Sequence, residues 1–304
     1  MIQFVIHSML RLVLIAGMSL LIGISAIAQL SKFYTVKDSP DFDTVDFYLK
    51  ATATNCLLKQ SKIDNNPLTI YGNPDLEKIN PSFASKVKNN TCYSKLVLDE
   101  YNSSGFGDSF TMAVSRSDKD NDFWKVNLNK NKIYKLNLIY GLGNADVNLT
   151  GSSVQRLKIK SGSADIVVGY DDGNMNPIKM DTFFVKADFG SIVAKRMDLA
   201  RAKNVITKIG FGNVLLDFDR EMSEKCNVNA SVGAGNLEIL LPREGTPVMI
   251  KIRDSPLCAV KIAKGFEEVE KNVFVNMSYT AEAENLLTFD VDVALGMVRF
   301  KYTD

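Results

Sequence analysis

The side chains able to do chemistry in this chain are few, and their types exclude much. The only histidine is His7, which lies ahead of an apolar run from Leu12 to Ala28. A mature chain without that leader has no histidine at all. Histidine titrates near neutral pH and is the commonest metal ligand, so Ser-His-Asp hydrolysis, Cys-His catalysis and histidine-bound zinc are closed to it. Carboxylate, lysine, tyrosine and arginine chemistry stays open. Four cysteines, Cys56, Cys92, Cys226 and Cys258, occur without any CxxC spacing, which argues against a redox or zinc-ribbon motif.

The remaining motifs read as structure. Asp118-Lys119-Asp120-Asn121-Asp122 begins like a calcium loop, but its sixth position is Phe123 where glycine is required and its twelfth is Asn129 where glutamate is required. A solvated turn ahead of a strand is expected there. Gly210-Phe211-Gly212 and Gly233-Ala234-Gly235 lead into strand patterns and do not complete GxGxxG. Asp171 to Asn174 reads as a polar loop, and Trp124 as a core residue ahead of a strand. No cofactor and no metal is implied.

The leader itself has the form of a secretory signal. Arg11 precedes the apolar run, Ala26-Ile27-Ala28 supplies the small residues of a cleavage site, and Gln29 is the expected mature N-terminus. An uncleaved membrane anchor is the alternative, because the run is near the lower length limit for crossing a bilayer. The chain is therefore expected to be exported, to the periplasm, the cell surface or the medium. Export makes two disulfides reasonable, and Cys56 with Cys92 and Cys226 with Cys258 is the expected pairing. With 36 Lys+Arg against 35 Asp+Glu there is no bulk field for nucleic acid, and polyanion binding has to be local.

The elements that would carry any site are repeats. Glycines at 143, 162, 190, 212, 235 and 296 each stand between two stretches of alternating apolar residues, and the first five are 19, 28, 22 and 23 residues apart. Taking offsets −5, −3, −1, +2, +4 and +6 from each glycine gives 36 positions. Thirty-three are apolar in a chain that is 46% hydrophobic, the exceptions being Ser161, Thr207 and Arg196. Such alternation predicts two strands per unit, each with one buried face, joined at a corner where Gly143, Gly162, Gly190, Gly212, Gly235 and Gly296 adopt backbone angles other residues avoid. Asn144, Ser163, Ser191, Asn213 and Asn236 follow the first five glycines as a polar column, and Met297 breaks it. A period near 22 predicts an all-β solenoid, a single-stranded β-helix-like stack over 133–304.

Residues 29–132 read as an irregular β-rich N-terminal cap, after a signal peptide over 1–28. Strands are expected at Val45 to Lys59, Leu68 to Tyr71, Cys92 to Leu98, Phe110 to Val114 and Phe123 to Leu128, with a short helix at Pro81 to Asn89. Residues 250–284 are expected to form an irregular coil between the fifth and sixth units.

The run from Leu136 to Pro242, with LIYGLGNADVNLTG, RLKIKSGSADIVV, TKIGFGNVLLDF and VGAGNLEILLPREG, resembles the toast-rack family of bacterial cell-envelope proteins, related to solenoid domains of cell-wall-stress response proteins and adhesin-like proteins. The resemblance covers about a third of the chain strongly. It implies an all-β, exported, non-catalytic domain and supplies no catalytic residues. The multi-helix membrane relatives carry apolar segments that this sequence does not repeat after its leader.

These readings converge on a non-enzymatic interaction or structural module of the cell envelope. An anchored envelope-stress sensor would require the leader to stay attached. A carbohydrate-active solenoid would require converging carboxylates, and the column of Asp146, Asp165 and Glu238 is interrupted by Val193 and Leu215. The partner would be an envelope protein or an acidic polysaccharide. Lys158, Lys186 and Lys208 share offset −4 in three consecutive units and form the candidate ligand face.

Overall fold

The computed structural model describes residues 31–100 and 123–302 apart from 62, 64, 75, 77, 78, 172, 219, 243, 244 and 254. Sixteen strands occur among the described residues: β1 (Lys32–Val36), β2 (Thr44–Gln60), β3 (Leu68–Gly72), β4 (Ile79–Lys88), β5 (Thr91–Glu100), β6 (Phe123–Leu128), β7 (Ile133–Asn148), β8 (Ser153–Gly169), β9 (Met180–Lys195), β10 (Ala202–Asp217), β11 (Cys226–Leu241), β12 (Val248–Ile252), β13 (Cys258–Lys261), β14 (Phe266–Glu270), β15 (Val273–Asn276) and β16 (Leu287–Tyr302). They form one sheet, so the fold is all-β and solenoidal.

Seven strands of 16 or 17 residues, β2, β7 to β11 and β16, are the rungs of the stack and pair in parallel from end to end. Alternation builds each of them. In β10, Val205, Thr207, Ile209, Val214 and Leu216 are buried, while Lys208 and Asn213 face solvent. Where two strands per unit are expected, each rung is one bent strand, because pairing with both neighbours continues through the glycine. The connecting segments add Leu149, Tyr170, Met197, Leu199, Phe218 and Met222 to the same core. They also stack through backbone bonds of their own, such as Phe218 N–H to Leu240 C=O at 3.0 Å.

The order of rungs in space departs from their order in the chain at both ends. β2 lies between β7 on one side and, on the other, a rung broken into β5 and β6. β16 lies between β11 and a rung broken into β12 and β13. Antiparallel strands then cover both ends: β4 pairs with β5, β3 with β6 and β1 with β3 at one end, β15 with β12 and β14 with β15 at the other. Such covering removes the long unpaired edges that would otherwise template aggregation.

Residues 250–284 thus hold half of a broken rung, its second piece and an antiparallel hairpin, and not an irregular coil. Pro81 to Asn89 is not a helix either, because Ile79–Lys88 is β4, paired residue for residue with β5. The turn joining them, Asn89-Asn90, has φ of 49° and 58°. Two consecutive left-handed asparagines make the tight hairpin turn whose twist matches its strands. The strand expected at Phe110 to Val114 and the turn at Asp118 to Asp122 lie outside the described residues.

At the entry to the stack, Lys132 fixes the loop before β2. Its Nζ donates to the carbonyls of Phe42 at 2.6 Å and Ser39 at 3.0 Å. It also pairs with Asp38 at 2.9 Å and lies 4.5 Å from the centre of the Phe42 ring.

Candidate functional site

Pairing through the stack decides which residues share a column, and it changes the second unit. Gly143 lies opposite Ala164, not Gly162, and Ala164 is in turn two residues before Ile166, the partner of Ile192. Gly143, Gly190, Gly212, Gly235 and Gly296 have φ between 111° and 142°. Gly162 has no left-handed φ and aligns with Gly141, two residues ahead of the corner. A slip of two residues keeps every side chain on its own face, so alternation alone cannot detect it.

The same slip moves the lysines. Lys160, Lys186 and Lys208 are consecutive partners across β8, β9 and β10, whereas Lys158 stands beside Phe184 in the next outward column. Lys135 and Arg156 are partners one column further on. Six cations, Lys135, Arg156, Lys158, Lys160, Lys186 and Lys208, therefore occupy a patch of the outer face about 15 Å across, with rungs about 4.8 Å apart. Among the described residues two carboxylates meet them: Asp188 is 3.0 Å from Lys186 and Asp46 is 3.9 Å from Arg156. On β16 the corresponding columns carry Asp290 and Asp292, so the basic area ends before the C-terminal rung. No group of His, Cys, Asp and Glu among the described residues could hold a metal ion.

The residue just before each corner glycine is not in the core. Offset −1 was expected to face inward, but Phe189, Phe211 and Leu295 are 54%, 58% and 51% exposed. At the bend the chain turns its edge to solvent, so four positions from −2 to +1 lie outside before alternation resumes. The rings of Phe189 and Phe211 stack at 5.4 Å with 10° between planes. On their other sides the neighbouring rungs offer Ser163 and Ala234.

The column after the corner is Asn55, Asn144, Asp165, Ser191, Asn213, Asn236 and Met297, with Asp165 where Ser163 was expected. It is tied internally. Asn144 Nδ2 donates to Asn55 Oδ1 at 3.0 Å, Ser191 N–H and Oγ donate to Asp165 Oδ1 at 2.9 and 2.6 Å, and Asn236 Nδ2 donates to Asn213 Oδ1 at 2.9 Å. Asp165 therefore leaves the carboxylate column with Asp146 and Glu238.

The expected disulfides are not formed, and all four thiols are free. Cys92 pairs with Val45, eleven residues from Cys56 on β2, and Cys226 and Cys258 pair with Leu287 and Gly296, nine residues apart on β16. At about 3.3 Å per residue these are about 36 and 30 Å of strand, far beyond the reach of a disulfide. Burial pushes the Cys56 and Cys226 thiols up to about 12, while Cys258 is partly exposed. Unreduced protein should therefore show one slowly reacting thiol, Cys258, when native and four when denatured. A titration that finds fewer than four after denaturation without reductant contradicts this register.

No helix among the described residues is long and apolar enough to cross a membrane. No family model and no curated protein matches the chain. Among solved structures it is similar to a candidate cell adhesion protein from Clostridium sporogenes ATCC 15579, at 15% identity and a TM-score of 0.46 over 90% of this chain and 99% of the other. A candidate adhesin from Bacteroides fragilis NCTC 9343 is 14% identical, with a TM-score of 0.30 over 90% and 96%. A candidate lipid-binding protein from Parabacteroides distasonis ATCC 8503 is 12% identical, also with a TM-score of 0.30 over 90% and 96%.

Proposed function

We propose that this protein is an exported, non-catalytic solenoid module of the cell envelope whose basic face holds an anionic polymer. The observation that carries the reading is the patch of six cations against two nearby carboxylates, in a chain with a net charge of +1. Positive charge gathered on one flat surface of a nearly neutral protein is a local field. Within a screening length of about 8 Å it acts on a ligand as a unit. Strand repeats present that charge at a fixed interval, which suits a ligand that also repeats. Lysine carries its charge on a flexible stem, so the face needs no fixed ligand geometry.

Replacing Lys160, Lys186 and Lys208 together with glutamine tests this. Binding to polygalacturonate at low salt should weaken about tenfold, the sum expected of three exposed charge contacts, and its salt dependence should flatten. The melting temperature should hold, since all three side chains are exposed. A triple variant that binds as well as the parent makes the face a solvated surface only.

A further inference from the structure

The basic face ends at the corner, and the corner has a composition of its own. From the lysine column outward, one crosses offset −2, which is small on every rung of the stack except β9, where it is Asp188, then the column Leu142, Ser163, Phe189, Phe211, Ala234 and Leu295, the corner itself, and the polar column after it. Glycines flank Phe211 on both sides, whereas Phe189 has Gly190 on one side and Asp188 on the other. Each ring covers one face of the other and turns its remaining face toward a short side chain, Ser163 or Ala234.

The geometry points to a glycan-binding edge: the anionic polymer of the basic face is an acidic polysaccharide that runs along the stack, with its sugar rings on Phe189 and Phe211. This rests on the function proposed above and assigns the chemistry of its ligand. Three observations favour a glycan. First, sugar rings present apolar C–H faces beside hydroxyls that both donate and accept, and the two phenylalanines lie between Lys186 and Lys208 on one side and Ser191 and Asn213 on the other. Asn213 accepts at its Oδ1 from Asn236, and its own amide N–H groups are donors available to a hydroxyl. Second, aromatic faces contribute orientation and contact with little ordering cost. Third, two successive rungs carry a cation, an aromatic ring and a polar side chain in the same order, Lys186, Phe189 and Ser191 on β9 and Lys208, Phe211 and Asn213 on β10, so a linear polymer meets a matching set of groups at two consecutive steps.

A bilayer surface is a poorer match. The apolar stripe is one residue wide, and Asp188 and Asp165 border it on either side, Asp188 being 54% exposed in its side chain. Those carboxylates would have to leave water and enter lipid with the rings, whereas a hydrated glycan chain leaves them solvated.

The test compares three probes on the full chain: polygalacturonate, polyglutamate as a polyanion without sugar, and vesicles of equal parts phosphatidylglycerol and phosphatidylcholine. The parent should bind polygalacturonate more tightly than polyglutamate. Phe189→Ala with Phe211→Ala should lower polygalacturonate affinity about tenfold, to the polyglutamate level, at unchanged melting temperature. The lysine triple variant should weaken both polymers. If the double variant binds polygalacturonate as the parent does while the lysine variant does not, the glycan edge is overturned and the basic face stands. If neither variant matters, or no polymer binds, both readings fall. Phenylalanine-dependent binding to the vesicles that exceeds binding to polygalacturonate makes the edge a membrane contact and overturns the assignment.

Discussion

Gly212→Val is expected to destabilise the protein by about 3 kcal/mol or more, while Asn213→Ser next to it stays within about 1 kcal/mol. Gly212 has φ of 142°, in a region that β-branched side chains avoid. More decisively, a Cβ on Gly212 would overlap the carbonyl oxygen of Gly190 on the preceding rung, and Gly235 and Gly296 stand in the same relation to Gly212 and Gly235. The space a side chain needs is filled by the backbone of a neighbour, which cannot rotate away as a side chain could. Relief would require separating two rungs and losing their hydrogen bonds on both legs. Asn213 accepts one bond from Asn236 at 2.9 Å in an exposed column that already tolerates Ser191. Denaturant unfolding of the two variants checks this, and equal midpoints would remove the corner from the account of stability.

Removing the last strand should have a larger effect. A chain ending at Leu286 is expected to lose cooperative unfolding and to aggregate. In a solenoid whose rungs follow chain order, trimming the C-terminal rung only shortens the stack. Here β16 is interior, with β11 on one side and β12 and β13 on the other. Its deletion strips hydrogen-bonding partners from both sides of the gap. It also withdraws Leu287, Phe289, Val291, Val293, Val298 and Phe300 from the core. Two exposed parallel edges above apolar faces are what sheet proteins are built to avoid. The point variant Phe289→Ala separates packing from pairing. Its ring meets Phe218 and Phe300 edge to face at 5.5 and 5.4 Å, and its loss should cost about 3 to 5 kcal/mol without aggregation. A truncated chain that melts as the full chain does would show that β16 is not an integral rung.

Much of the rung architecture is written locally. Alternation of period two, glycines at near-regular intervals and amides just after them predict strands, corners and a stack, because each of these is a property of a few neighbouring residues. The same locality explains the misplacements. Gly162-Ser163-Ala164-Asp165 copies the form of Gly143-Asn144-Ala145-Asp146, yet Ala164 stands at the corner, since Ile166 has to lie against Ile192. A two-residue slip changes no face, so the choice is made only between rungs. It is this choice that sets Lys160 rather than Lys158 into line with Lys186 and Lys208. The rung at β2 carries Thr54 opposite Gly143, and without a glycine its corner has no local mark.

What the tertiary structure alone decides is where chain order and spatial order part. Nothing within 226–241 states that its neighbour is 287–302 rather than 248–261, because both segments have inward apolar residues that would pack against it. The hairpin of β14 and β15 fits β12, leaving the slot beside β11 to the C-terminal strand. The cysteines follow from the same fact: pairs that bracket polar stretches in sequence are held nine and eleven residues of strand apart by the register of their rungs. The exposure of Phe189 and Phe211 likewise belongs to the bend. Alternation assigns them to the core, and only the turning of the sheet edge toward solvent brings the two rings out beside the lysines and the amides. Local pattern determines which residues can be a rung, whereas contacts between rungs determine which residues face a ligand together.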